Sequence, residues 1–304
     1  MNEKNMMCDL ETGVCGETGD NAVQEFILNP IEKKVTIYYA TDPICSHCWA
    51  LEPVLNRFVE EYGHYFDLNI VMGGLLASWQ GFSDGGNGIQ KPSDVAQHWK
   101  EVGEHSRMPI DGSLWHTNPI LSSYPPSRLF KVIQSKEGGK EHEFLRSARE
   151  SVFAFNRNIA EEGVLVDIVN QLGMDGKQIV DEASLESAQD LLEEDFQMVA
   201  RLGVRGFPSI VMVNEENKGV KIVGARSLET YVQALQQMVS EDLQPKELPT
   251  LEKALHAGQL RFSKEIEIMY NIERDAVQSF VESHLPDNTY RVHQILNEMY
   301  VQRI

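Results

Sequence analysis

The sequence is poor in cysteine and has no long apolar run. Four cysteines among 304 residues are too few for a disulfide framework. No stretch approaches the roughly 18 consecutive apolar residues of a membrane helix, and the acidic opening, residues 1–20, is not followed by the apolar segment of a secretory signal. We therefore expect a soluble protein of the reducing cytoplasm, where a close pair of cysteines is more often catalytic or metal-binding than structural.

The sequence also has few basic residues relative to acidic ones. The 27 Lys and Arg are outnumbered by 46 Asp and Glu, which gives a formal net charge of −19. This charge repels polyanions, so we expect neither nucleic acid nor an anionic membrane among the partners. Other proteins, in particular proteins with basic surfaces, are the expected partner class.

Two of the cysteines stand three positions apart between a predicted strand and a predicted helix. The strand is "VTIYYA", residues 35–40, and apolar residues at helical spacing follow Cys48. Such a pair could simply be two buried apolar side chains. A thiol at a helix N-terminus, however, meets the positive end of the helix dipole, which favours the nucleophilic thiolate. We expect Cys45 to be the exposed attacking thiol, Cys48 the shielded resolving thiol, and His47 to favour the thiolate further.

A second strand-rich segment follows much later, at residues 203–239. It contains predicted strands at 209–213 and 220–224 and a closing helix, with Pro208 at the mouth of the first strand. This pattern is typical of the second half of a thioredoxin-like fold, in which a cis proline faces the cysteine pair. The segment from about 90 to 202 contains several helical patterns and is predicted to be a helical insertion.

Changes in composition divide the chain further. The predicted parts are a mobile, acidic, cysteine-containing tail at 1–24, a thioredoxin-like domain at 25–240, a linker at 241–249 and a small C-terminal domain at 250–304. The C-terminal domain is expected to be α+β, with two short helices and a strand-like end in an order that resembles a winged helix. Within it, "EIEIMYNI" alternates enough to be a strand instead of a helix.

The remaining cysteines, Cys8 and Cys15, raise the alternative of a metal site. Together with Cys45 and Cys48 they could supply four thiolates to a tetrahedral zinc ion. The six residues between Cys8 and Cys15 exceed the usual spacing of about two to four. An oxidisable pair of thiols in the tail is therefore the competing interpretation, and no cofactor is required.

Several of these motifs resemble the DsbA-like branch of the thioredoxin superfamily. The resemblance covers roughly residues 34–240 and rests on "DPICSHCWALEP", the helical insertion and "GVRGFPSIVMV". The whole arrangement, with its acidic tail and extra C-terminal domain, resembles the YjbH (SpxH) family of ClpXP adaptor proteins. The resemblance implies an α/β fold, redox-type site residues at Cys45, Cys48 and Pro208, and an adaptor that binds the transcription factor Spx and promotes its degradation by ClpXP. It does not identify the residues that contact the partner.

Turnover at the cysteine pair is not expected to be the main activity. Ser46 stands where DsbA itself commonly has proline after the first cysteine, and a reducing cytoplasm keeps such a pair mostly as thiols. Two enzymatic alternatives stay open, a cytosolic DsbA-like thiol-disulfide oxidoreductase with Cys45 as nucleophile and a glutathione-dependent isomerase. Replacing both cysteines by serine separates the classes, because an oxidoreductase would lose all activity and an adaptor would retain most of its binding.

Overall fold

The computed structural model describes most of the chain after residue 34. The described residues are 8–9, 14–15, 35–85, 87–136, 139–255 and 260–304. The chain forms two compact units, Met1–Glu32 and Lys33–Ile304. In the first unit, β1 (Cys8–Asp9) pairs antiparallel with β2 (Val14–Cys15), a register that places Cys8 opposite Cys15. The rest of the predicted tail and the thiol groups of these two cysteines lie outside the described part of the chain.

A four-stranded mixed sheet forms the centre of the second unit. Its strands, in the order β4-β3-β5-β6, are β4 (Phe66–Met72), β3 (Val35–Thr41), β5 (Ser209–Val213) and β6 (Gly219–Val223). Strand β3 pairs parallel with β4 and antiparallel with β5, so the two halves of the predicted fold meet in the middle of the sheet. Its β-branched and aromatic residues suit a sheet buried on both faces. The predicted DsbA-like thioredoxin fold is confirmed.

Helices cover this sheet, and most of them belong to the insertion. They are α1 (Ser46–Tyr62), α2 (Pro92–Ser106), α3 (Leu114–Thr117), α4 (Tyr124–Gln134), α5 (Glu141–Arg149), α6 (Glu162–Gln171), α7 (Gly176–Ala183), α8 (Glu186–Arg201) and α9 (Leu228–Gln236). Helix α5 continues into a π-helical turn at Glu150–Ala154. Among the residues that the structure describes, no helix combines the length and the apolar character that crossing a membrane requires.

The C-terminal segment forms a small α+β structure around its own apolar cluster. Its elements are α10 (Leu251–Ala254), β7 (Leu260–Phe262), α11 (Ser263–Tyr270), α12 (Val277–His284), β8 (Tyr290–Ile295) and β9 (Glu298–Arg303). The strands form an antiparallel sheet in the order β7-β9-β8. Helix, strand, two helices and a hairpin is the element order of a winged helix. The segment that alternates, "EIEIMYNI", contributes to helix α11, and the strand-like end is a hairpin that turns at Leu296 and Asn297.

The C-terminal segment packs firmly against the thioredoxin part and lies within the same compact unit. Phe262 is fully buried, with its ring 5.6 Å from the ring of Trp49 in α1. Arg107, at the end of α2, donates hydrogen bonds to both Glu267 and Glu298 of the C-terminal segment at 2.5 to 3.0 Å. The contact therefore combines an aromatic core with charge-assisted hydrogen bonds.

Replacing Phe262 by alanine is expected to destabilise the protein by about 3–5 kcal/mol, because the ring leaves a cavity against Trp49 and the C-terminal sheet. Urea-induced unfolding measures this loss. Val292→Ala, on the half-exposed strand β8, is the matched control and should change the free energy of unfolding by less than about 0.5 kcal/mol. Equal losses in the two variants would contradict the packing described here.

Candidate functional site

The cysteine pair lies at the start of α1, as its spacing predicts. Cys45 caps the helix, and its Sγ accepts a hydrogen bond from the backbone N–H of Cys48 at 3.2 Å. The preceding turn is closed by the backbone N–H of Cys45, which donates to the carbonyl of Asp42 at 3.2 Å. Both cysteines are free thiols. This is the arrangement in which a helix N-terminus stabilises a thiolate.

Pro208 lies at the start of β5, next to the end of the strand that leads into the cysteine turn. The Phe207–Pro208 peptide bond is cis, and Ser209 pairs with Ala40 of β3. Phe207 packs closely against the turn after β4, since a Cβ built on Gly73 would lie 2.0 Å from its ring. Glycine at position 73 therefore lets the two loops approach each other.

The thiols are more enclosed than the sequence predicts. Cys45 is only 5% exposed and Cys48 is fully buried. Burial raises the pKa of the Cys45 thiol well above its usual value, and its hydrogen bond to Cys48 raises it further. Burial also opposes ionisation of Cys48, but the hydrogen bond from Cys45 and the charge of Arg149 outweigh it and lower the pKa of Cys48. Burial thus opposes ionisation of both thiols, whereas the sequence predicts an exposed, activated thiol at Cys45.

His47 does not add a positive charge to this site. Its imidazole ring lies 5.3 Å from the ring of His98. Partial burial and then the charges of His98 and His105 lower the pKa of His47 below its usual value. The neutral ring is therefore the main form at pH 7. His47 does not stabilise a thiolate by a positive charge, contrary to what the sequence had led us to expect.

Arg149 is a site residue that the sequence analysis missed. It is 1% exposed and comes from the end of helix α5. Its Nη1 donates to Oε1 of Glu52 at 2.8 Å, and its Nη2 donates to the hydroxyl of Thr41 and to the carbonyl of Asp42. Leu145 and Ala148 lie on the same buried face of the helix, and an arginine within such an apolar stripe is the signal that could have revealed it.

A second arginine extends this network to the C-terminal segment. Arg146 donates to Oε2 of Glu52 at 2.8 Å and to both carboxylate oxygens of Glu265 at 2.6 and 2.8 Å. Its guanidinium also lies 4.9 Å from the ring centre of Trp49. We call Arg146, Arg149, Glu52 and Glu265 the arginine–glutamate network. It connects helix α1, the insertion and the C-terminal segment directly behind the cysteine pair.

Asp42 is a further buried carboxyl beside the site. Its oxygens accept hydrogen bonds from the backbone N–H of Leu75 at 2.8 Å, from that of Ile44 at 3.1 Å and from the hydroxyl of Ser123 at 2.8 Å. Burial raises the pKa of Asp42 to about 6, although these hydrogen bonds and Arg149 pull it down. Asp42 therefore anchors the cysteine turn to the insertion and titrates close to neutral pH.

Only two of the four predicted zinc ligands have side chains that the structure describes. Cys45 and Cys48 are described, whereas the thiols of Cys8 and Cys15 are not. Within the described part of the chain, no group of three or more His, Cys, Asp or Glu side chains is arranged to hold a metal ion. Zinc binding by the tail cysteines stays a prediction.

Comparison with known proteins places this chain in a family. A family model described as thioredoxin matches residues 38–233, more than half of the chain, so the chain is a member of the thioredoxin family. A structure from Nitrosomonas europaea, described as that of a protein disulfide isomerase, is similar in fold with a TM-score of 0.56 and 22% identity. It covers 68% of this chain and 96% of that chain.

Two curated relatives define the family more narrowly. The ClpXP adapter protein SpxH of Halalkalibacterium halodurans is 30% identical over 280 residues, covering 91% of this chain and 90% of that protein. SpxH of Bacillus subtilis is 29% identical over 253 residues, covering 81% of this chain and 82% of that protein. The chain belongs to the SpxH family of ClpXP adapter proteins.

The raised pKa of Asp42 predicts a pH dependence of stability. Because the folded-state pKa, about 6, exceeds the ordinary aspartate value of 3.8, the native state binds the proton more tightly, and this stabilisation is lost as the pH rises through 6. Between about pH 5 and pH 7.5 the loss should be on the order of 1 kcal/mol. Urea unfolding of the wild type and of Asp42→Asn over this range isolates the effect. A difference between the two that does not change with pH would contradict it.

Proposed function

We propose that this protein is an adapter that binds the transcription factor Spx and promotes its degradation by the ClpXP protease. The observation that carries the proposal is the extent of its similarity to named ClpXP adapters. The first of these relatives aligns over 91% of the chain, whereas the thioredoxin-fold structure from Nitrosomonas europaea covers 68%. The similarity to the adapters therefore extends beyond the part of the chain that a redox enzyme needs.

The enclosure of the cysteine pair supports a function that does not depend on turnover. A thiol that attacks a disulfide of another protein must be accessible and ionised. Cys45 is 5% exposed and Cys48 is fully buried, and burial opposes the ionisation of both thiols. An adapter needs only the surface that this scaffold presents. We therefore assign Cys45, Cys48 and Pro208 a structural role inherited from the thioredoxin fold.

A thiol-disulfide oxidoreductase is the second candidate function. One observation favours it: the two free thiols lie at a helix N-terminus, with a cis proline at the start of the neighbouring strand region. Catalysis by this pair would require a movement that exposes Cys45. The adapter and the enzyme thus differ in whether the two sulfurs are necessary.

The charge of the chain supports a protein partner with a basic surface. The net charge is −19, so encounter with such a partner should be steered electrostatically and become slower as salt rises. The proposed function requires no cofactor, nucleic acid or membrane, and we place it in the cytoplasm. We keep Cys8 and Cys15 as proposed zinc ligands, because the β1–β2 register puts these two residues opposite each other.

A reconstituted degradation assay tests the adapter function. With purified ClpXP and Spx, adding this protein should accelerate the loss of Spx, because the adapter brings the substrate to the protease. The Cys45→Ser, Cys48→Ser double variant should retain most of the acceleration, since neither sulfur is needed for binding.

Disulfide reduction by the wild type and by the double variant is measured in parallel, which distinguishes the oxidoreductase from the adapter. If the wild type leaves the degradation rate unchanged but turns over a disulfide substrate, and the double variant does not, the oxidoreductase replaces the adapter. Degradation without added protein is the control for the basal rate.

A further inference from the structure

A cavity of about 550 Å³ lies between helix α1, the central sheet, helix α5 and the C-terminal segment. This volume is within the range of small-molecule sites, which are roughly 300 to 1,000 Å³. Its walls are mostly apolar and come from both the thioredoxin part and the C-terminal segment. Six of these wall residues are Leu55, Leu68, Ile70, Leu251, Ile266 and Met269.

The cavity has an open and a closed end. Glu60, His142 and Lys253, which are exposed side chains, line its mouth. Tyr39 and Arg149, each 1% exposed, line its inner end. A molecule that enters from solvent therefore passes charged side chains at the mouth, contacts the apolar walls and reaches the buried Tyr39 and Arg149 at the inner end.

Two hydrogen-bond donors at the inner end have no partner. The hydroxyl of Tyr39 and the Nε–H of Arg149 are both buried and lack a partner with hydrogen-bond geometry. The Thr41 hydroxyl lies near that of Tyr39 but accepts its hydrogen bond from Arg149. Burial raises the pKa of Tyr39 well above its usual value, so its hydroxyl is protonated. An unsatisfied buried polar group typically costs about 1–3 kcal/mol. A ligand oxygen that accepts from these donors would recover that free energy.

The charges around the inner end decide which acceptor fits. The two guanidinium groups, Arg146 and Arg149, are already paired with the carboxylates of Glu52, Glu150 and Glu265. Four cationic side chains (Arg146, Arg149, Lys253 and Arg261) and four carboxylates (Glu52, Glu60, Glu143 and Glu265) line the cavity, so a ligand carboxylate would add a buried negative charge to a balanced set, which is unfavourable. A neutral carbonyl oxygen accepts the same hydrogen bonds without that penalty.

We propose that this cavity binds an uncharged, largely apolar small molecule whose carbonyl oxygen accepts hydrogen bonds from the Tyr39 hydroxyl and the Arg149 Nε–H. Both sides of the cavity contribute wall residues, so an occupant would also hold the C-terminal segment against the thioredoxin part. The proposal is independent of the adapter function and of any chemistry at the cysteine pair.

Benzophenone is a suitable probe, because it is an apolar ketone that also forms covalent photoadducts with nearby C–H bonds. Binding to the full-length protein, measured by calorimetry, should weaken about 5- to 10-fold in Tyr39→Phe, which removes one donor. Tyr38→Phe is the matched control, because neighbouring strand residues point to opposite faces of the sheet. It should bind benzophenone like the wild type.

Comparison of ligands tests the proposal without any variant. The wild type should bind benzophenone more tightly than diphenylmethane, which lacks the oxygen, and more tightly than 4-benzoylbenzoate, which carries a carboxylate. Photolabelling followed by peptide mass spectrometry should place the adducts in α1, α5 or the segment around Leu251–Tyr270. Equal affinity of Tyr39→Phe and wild type, tighter binding of the carboxylate, or adducts confined to other segments would overturn the proposal.

Discussion

The buried pairing of Arg146 and Arg149 with one carboxylate, that of Glu52, is the interaction on which the rest of the site depends. Glu52 lies two turns into the helix that begins at the cysteine pair, and its two oxygens accept from different arginines. Removing one partner from such a network leaves a buried charge and typically costs about 3–5 kcal/mol. The network therefore holds α1 and α5 in one relative position, and Glu265 extends that constraint to the C-terminal segment.

This constraint explains how a thioredoxin-like site can serve a protein that acts by binding. In the same network that orders the helices, Arg149 donates to Thr41 and to the carbonyl of Asp42, directly beside the cysteine turn. Asp42 in turn connects the turn to Ser123 of the insertion. The turn is thus fixed from two sides and the thiols are enclosed. A rigid scaffold of this kind presents a constant surface to a partner protein, which is what an adapter requires.

The sequence predicted the parts of the fold that local patterns determine. Strand β5 was predicted at residues 209–213 and is found there, because a β-branched apolar run is bounded by Pro208 and a polar turn. The cysteine pair was correctly placed between a strand and a helix. These features depend on neighbouring residues, which are visible in a single sequence.

The features that the sequence did not predict depend on distant contacts. For "EIEIMYNI" the sequence left helix and strand open, and the helix is found in α11, where Glu265 and Glu267 are buried by ion pairs with arginines far away in the chain. The pairing of Arg149 with Glu52, 97 positions away in the chain, is likewise not visible in the sequence. The turn at Leu296 and Asn297 was hidden because it lacks glycine, although both residues adopt positive φ angles. The burial of Cys45 was likewise a tertiary effect.

The central claim is that the arginine–glutamate network fixes helices α1 and α5 relative to each other and thereby keeps the cysteine pair enclosed, with Glu265 as its link to the C-terminal segment. The most direct test is the alkylation rate of Cys45 and Cys48 by iodoacetamide in Glu265→Gln, followed by mass spectrometry. Ile168→Val, a core change in helix α6 that removes no member of the network, serves as the control for general destabilisation. Both variants and the wild type are compared at temperatures equally far below their own unfolding midpoints. The account predicts faster alkylation in Glu265→Gln than in Ile168→Val. Equal rates in the two variants would contradict it.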